Sequence, residues 1–171
     1  MVVRSVVRRG RLKELGVGRT TFGAAGELLP VGATTVQIPS DKKIKVEVTI
    51  ENTGSQSVTK NFGIVALYAD TLSDSSGDPE KDFDTWWQEW EEFDSADVYN
   101  LTLNPGDTYT LSAANVPANT WSEGTKIDAG IVLTNTDLSE FYDSLKIANA
   151  VEIIAPTLRV EITDVTFSET D

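Results

Sequence analysis

Three of the four tryptophans, Trp86, Trp87 and Trp90, fall within five residues of one another. Exposed tryptophan anchors partner surfaces or stacks on sugar rings, because its ring buries much apolar area on few rotatable bonds. Just before them runs a set of acids, Asp70, Asp74, Asp78, Glu80, Asp82 and Asp84, with Gly77 among them. Hard cations such as calcium take six to eight oxygens, which clustered carboxylates and loop carbonyls supply. The order of these acids does not follow an EF-hand loop, and a solvated loop running into a helix N-terminus accounts for them equally, since the helix dipole favours acids there. The third candidate is basic: Arg4, Arg8, Arg9 and Arg11, with Lys13 and Arg19, near the N-terminus.

The residues that are missing exclude more chemistry. There is no histidine and no cysteine, so Ser-His-Asp and Cys-His triads, thiol nucleophiles and zinc-thiolate sites are ruled out. With 27 acids, any chosen pair of carboxylates is uninformative until a separation is known. No Walker-type phosphate loop occurs, and Gly16-Val17-Gly18 is too short for a dinucleotide fingerprint. Asn100-Leu101-Thr102 matches a glycosylation sequon, a triplet common by chance. The chain is therefore expected to bind or assemble rather than catalyse, and to need no cofactor, calcium in the acidic loop being the one candidate.

Charge is unevenly spread. Residues 1–20 carry a net +5, so the other 151 carry −18 of the total −13. An acidic body repels nucleic acid and anionic membrane at long range, and no specific nucleic-acid recognition is expected. The basic segment has three readings: neutralising phosphates inside a particle, reaching an acidic neighbour across a subunit contact, or disorder. The paired valines Val2-Val3 and Val6-Val7 favour docking, and so the second. The same pairs, broken by Arg4, Arg8 and Arg9, do not make the continuous apolar core of a secretory signal. No apolar run is long enough for a transmembrane helix.

The elements that must position these residues are mostly strands. Ile44, Val46, Val48 and Ile50 alternate with polar residues, the period of a half-buried strand. Phe62 to Tyr68 is apolar on both faces and reads as a central strand. Val98–Leu103 follows, with Tyr99, Leu101 and Leu103 on one face. After the turn Asn104-Pro105-Gly106-Asp107 come Tyr109 and Leu111, then Ile127–Leu133, Val151–Ile154 and Leu158–Phe167. About seven short strands with turn signals between them predict an antiparallel sandwich.

One segment breaks this rhythm. Asp78-Pro79-Glu80 is an N-cap, a proline at the first helical position and an acidic first turn. Phe83, Trp86, Trp87, Trp90 and Phe93 recur at threes and fours, predicting an amphipathic helix near 79–93. Adjacent tryptophans cannot point the same way on a helix, so one of Trp86 and Trp87 should lie at the edge of the buried face. A second short helix is expected over Asp137–Leu145, with Phe141, Tyr142 and Leu145 inward. Residues 1–40, rich in glycine, read as an extended arm or as an added strand along the body, and 41–171 as the sandwich domain.

The stretch Lys45–Leu111 resembles the immunoglobulin-like modules of cell-surface and virion proteins, especially the CARDB type. The matching pieces are Val46-Glu47-Val48-Thr49-Ile50-Glu51-Asn52-Thr53-Gly54, then Val65-Ala66-Leu67-Tyr68, then Leu103-Asn104-Pro105-Gly106-Asp107-Thr108-Tyr109-Thr110-Leu111. The resemblance covers under half of the chain, and implies a fold and no catalytic residue. Together these features lead to the expectation of a structural subunit, a capsid, decoration or tail component of a virion, whose partners are copies of itself or other virion proteins. The alternative is a surface or carbohydrate-binding module displaying the tryptophan helix. Arg4, Arg8, Arg9, Arg11, Trp86, Trp87 and Trp90 are the candidate partner-binding residues.

Overall fold

A computed structural model of the chain describes residues 35–156 in full, together with the backbone of 16–24 and 29–30. The strands are β1 (Gly16–Ala24), β2 (Leu29–Pro30), β3 (Val36–Pro39), β4 (Ile44–Glu51), β5 (Val58–Ala69), β6 (Glu92–Leu103), β7 (Thr108–Ala113), β8 (Lys126–Thr134) and β9 (Phe141–Ile154), with α1 (Pro79–Glu89) between β5 and β6. They form two sheets, ordered β2-β1-β4-β7 and β3-β9-β8-β5-β6. Strand pairs β1–β2, β5–β6 and β8–β9 stay within a sheet while the other connections cross between sheets, and β3 runs parallel to the last described strand, β9. This is an immunoglobulin-like sandwich with one added helix. Arg4, Arg8, Arg9 and Arg11, and the expected strand Leu158–Phe167, lie outside the described residues.

The core follows from strand periodicity. Ile44, Val46, Val48 and Ile50 are buried while their neighbours in β4 are not. They meet Phe62, Ile64, Ala66 and Tyr68 of β5 and Ile127, Ala129, Ile131 and Leu133 of β8 between the sheets. The alternate residues Val65, Leu67, Ala69 and Val132 point outward from the five-stranded sheet, where Phe83 and Trp86 of α1 cover them. That cover is why β5 is apolar on both faces.

Asn52, wholly buried, closes the turn after β4. Its Nδ2 donates to the carbonyls of Gln56 and Leu103 at 2.8 and 2.9 Å, and its Oδ1 accepts from Gly54 N. A side chain thus satisfies carbonyls that the strands leave unpaired.

Three expectations are corrected. Asp137–Leu145 is not a helix. Asp137 accepts from the backbone and hydroxyl of Ser139 inside a hairpin loop, and Asn135 N donates to Glu140 O. Phe141 onward pairs with β8 as β9. The helix near 79–93 stops at Glu89, because Glu91 N donates to Tyr68 O and Glu92 begins to pair with β5; Phe93 is a strand residue. Tyr99 does not share a face with Leu101 and Leu103. The pairs Phe62↔Val98 and Lys60↔Leu101 leave both Tyr99 and Asn100 opposite Asn61. This bulge, with Asn100 at φ 52, reverses the alternation, and Tyr99 is 63% exposed.

Helix seating depends on one close approach. A Cβ on Gly130 of β8 would meet the Trp86 ring at 2.6 Å. Gly130→Ala is expected to cost about 1–3 kcal/mol by overpacking, seen as a lower urea midpoint with an unchanged m-value.

Candidate functional site

The site is built on α1 and the strand that follows it. Asp78 caps α1, its Oδ1 accepting from Glu80 N at 3.2 Å, and Pro79 needs no partner for its nitrogen. Because successive residues on a helix turn by about 100°, Trp86 and Trp87 diverge. Trp86 faces the sheet, is wholly buried, and donates from Nε1 to Ser73 O at 2.8 Å. It therefore presents no surface to a partner. Trp87 is 40% exposed, and Trp90 is half-buried at the helix end. Of the adjacent pair, Trp87 takes the edge of the buried face.

Phe93 enters from β6. It pairs with Leu67, projects to the outer side of the sheet, and is 42% exposed. Its ring lies 5.3 Å from Trp87 and 5.1 Å from Trp90. Trp87 also lies 5.4 Å from Trp90 and stacks on Phe83 at 5.3 Å, and Phe83 meets Phe141 of β9 at 5.2 Å. The result is a continuous aromatic band in which Phe83 is buried, Trp90 and Phe141 are half-buried, and Trp87 and Phe93 are exposed. Phe141 was missed because its segment read as helical.

The acids divide into different roles. Asp82 is buried and accepts from Ser76 N and Oγ at 2.6 and 2.7 Å, from Ser144 Oγ at 2.7 Å, and from Ser75 Oγ. It ties the loop before α1 and the helix itself to β9. Burial pushes its carboxyl up, but the hydrogen bonds from Ser75, Ser144 and Ser76 together outweigh that and hold its pKa below the ordinary carboxylate value. Asp128, also buried, accepts from Leu72 N at 3.0 Å and Asn149 N at 2.8 Å and pairs with Lys146 at 3.2 Å. Lys146 also reaches the exposed Asp74 at 3.2 Å. Asp94 accepts from Asn115 N and Nδ2 at 2.7 and 3.0 Å, tying β6 to the loop after β7.

The acidic loop is therefore not one cluster: Asp82 points inward, Asp78 caps, and Asp74 pairs. Among the described residues no group of three or more acids is placed to hold a metal ion. Nor, among them, is any helix long and apolar enough to cross a membrane.

Stability should follow Asp82. A carboxyl whose folded pKa is depressed contributes stability that is present above its unfolded value, near 4, and lost as pH falls through the folded value. Asp82→Asn is expected to lower stability at pH 7 and to flatten the loss between about pH 5 and pH 2, measured by urea unfolding across pH against the unaltered chain.

No family model matches the chain, and no curated protein matches it by sequence. Its structure is similar to the C-terminal domain of Wzt, at 13% identity and a TM-score of 0.45, covering 99% of this chain and 96% of that one. It is similar to an immunoglobulin-like protein from Pseudomonas aeruginosa at 11% identity and a TM-score of 0.37, covering 84% of this chain and 99% of that one. It is also similar to part of β-glucuronidase 2 of Bacteroides uniformis, at 12% identity and a TM-score of 0.43, covering 77% of this chain. The chain spans only 13% of the length of that enzyme.

Proposed function

We propose that this chain is a non-catalytic structural subunit, a virion component of the capsid, decoration or tail type, that docks on copies of itself or on neighbouring virion proteins. Kinship with CARDB-type modules belongs to the same reading. The observation that carries it is the aromatic band. Phe83 and Trp86 bury themselves against the sheet, while Trp87 and Phe93 remain 40% and 42% exposed beside them. Contiguous exposed aromatic surface marks contact sites on soluble proteins. The charge asymmetry supports self-association in particular: a basic segment and an acidic body on one chain attract between copies, which steers encounter and fixes register.

The test is the molar mass of the full chain by light scattering across concentration and ionic strength. Mass rising with concentration, and falling toward the monomer as salt rises from about 0.05 to 0.5 M, is expected, because salt screens the attraction between exposed charges. A monomer at millimolar concentration and low salt overturns the reading.

A second reading rests on the Trp87 ring, whose exposed face could stack on one sugar ring as part of a surface or carbohydrate-binding module. Phe93 is inclined at 60° to Trp87, so the two rings do not form one flat platform. A monomer whose tryptophan emission shifts saturably with oligosaccharide, and stops doing so in Trp87→Ala, would replace the assembly reading with this one.

A further inference from the structure

The aromatic band has an acidic rim. On α1, Glu80, Asp84 and Trp87 recur at four and three residues and so share one stripe of the helix. Glu80 and Asp84 are exposed. Among the described residues neither carboxylate is in an ion pair; the pairs formed use Lys42, Lys45, Lys60 and Lys146. The last turn of α1 holds no basic residue to offset its negative dipole end. The surface beside Trp87 is thus apolar at its centre and net negative at its edge, where Lys81 is the one base of α1 beside Glu80 and Asp84, which fits a partner that is apolar and cationic by turns.

The chain's own first residues have that composition. Val2-Val3-Arg4-Ser5-Val6-Val7-Arg8-Arg9-Gly10-Arg11 alternates valine pairs with arginines and holds no acid. Guanidinium groups stack on tryptophan faces and pair with carboxylates, and valines suit the ring of Phe93.

Geometry favours a second copy as the source of the segment. Gly16, the first described residue, pairs with Glu51, at the end of the sandwich that holds Asn52 and the turn at Gly106. Phe93 is paired with Leu67, nine residues along β5 from Val58, which pairs with Leu103 beside that same turn. Nine strand steps span about 30 Å, and β1 lies in the opposite sheet, about 10 Å away. Arg8, Arg9 and Arg11 lie within eight residues of Gly16, a reach of at most about 29 Å even fully extended. The backbone up to these three residues would have to be fully extended to approach the band of its own chain, a constraint that a second copy does not impose.

We propose that the face formed by Trp87, Trp90 and Phe93, with its rim of Glu80 and Asp84, is the acceptor for the basic segment Val2–Arg11 of a second copy of this chain. This rests on the assembly reading above and names its contact.

The test is a charge swap on the full chain. One variant carries Arg8→Glu and Arg9→Glu; the other carries Glu80→Lys and Asp84→Lys, both exposed positions. Each, checked for an unchanged circular dichroism spectrum, is expected to self-associate at least tenfold more weakly by light scattering at low salt. An equimolar mixture should regain the unaltered chain's mass, because reversed segment then meets reversed acceptor and native meets native. Trp87→Ala, with all charges kept, should weaken association by a similar factor. If the segment variant alone loses association while the acceptor variants keep it, assembly through the segment stands and this acceptor is wrong. If both reversed variants lose association and the mixture regains none, the pairing is overturned. If the unaltered chain never exceeds the monomer, the assembly reading falls and takes the acceptor with it.

Discussion

The arrangement depends on the seating of Trp86 over Gly130. The outer side of the five-stranded sheet is apolar at Val65, Leu67, Ala69 and Val132, and a surface of that kind must be covered by something. A short helix covers it, and the helix approaches closely because β8 has no side chain beneath the indole. Burying the ring removes a large apolar area from water, and its one polar group is satisfied by Ser73 O. Everything exposed on α1 is placed relative to that anchor.

Two buried carboxylates fix what the apolar contact leaves loose. Hydrophobic burial is non-directional, so Trp86 alone sets depth better than orientation. Asp82 of the helix and Asp128 of β8 supply direction by accepting hydrogen bonds from donors on the loop before α1 and on β9. A buried charge is costly unless it is fully hydrogen-bonded. Asp82 accepts from two serine hydroxyls and one further serine's backbone and hydroxyl, and Asp128 from two backbone amides and a lysine, so the seat is specific as well as stable. Asp82, drawn from what reads as a solvated or cation-binding loop, is part of the framework.

The exposed aromatic face arises where helix and strand compete for the same residues. Helical periodicity extends to Phe93, but β5 has an open edge at Tyr68 and Leu67, and backbone pairing with it ends the helix at Glu89. Phe93 consequently leaves the helical stripe and returns beside Trp87 and Trp90 from a different element. One face is thus assembled from the helix end and the strand start, and it points away from the core because Trp86 already occupies the inward position.

Whatever depends on near neighbours along the chain is legible in the residues alone. The alternation of β4, the two-faced β5, the Asp78 cap with Pro79, and the divergence of Trp86 from Trp87 were all legible, since each follows from local backbone period or from side-chain bonds spanning a few residues. What depends on a distant partner emerges with the folded chain. Asp137 with Phe141, Tyr142 and Leu145 satisfies a helical pattern, yet β8 offers backbone partners along its length and the segment became a strand. Tyr99 faces solvent because of a bulge set by its pairing with β5. Whether Asp82 was a ligand, a surface charge or an internal tie depended on Ser144, 62 residues away. Sheet hydrogen bonds and buried polar contacts join residues far apart in sequence, so no local pattern encodes them.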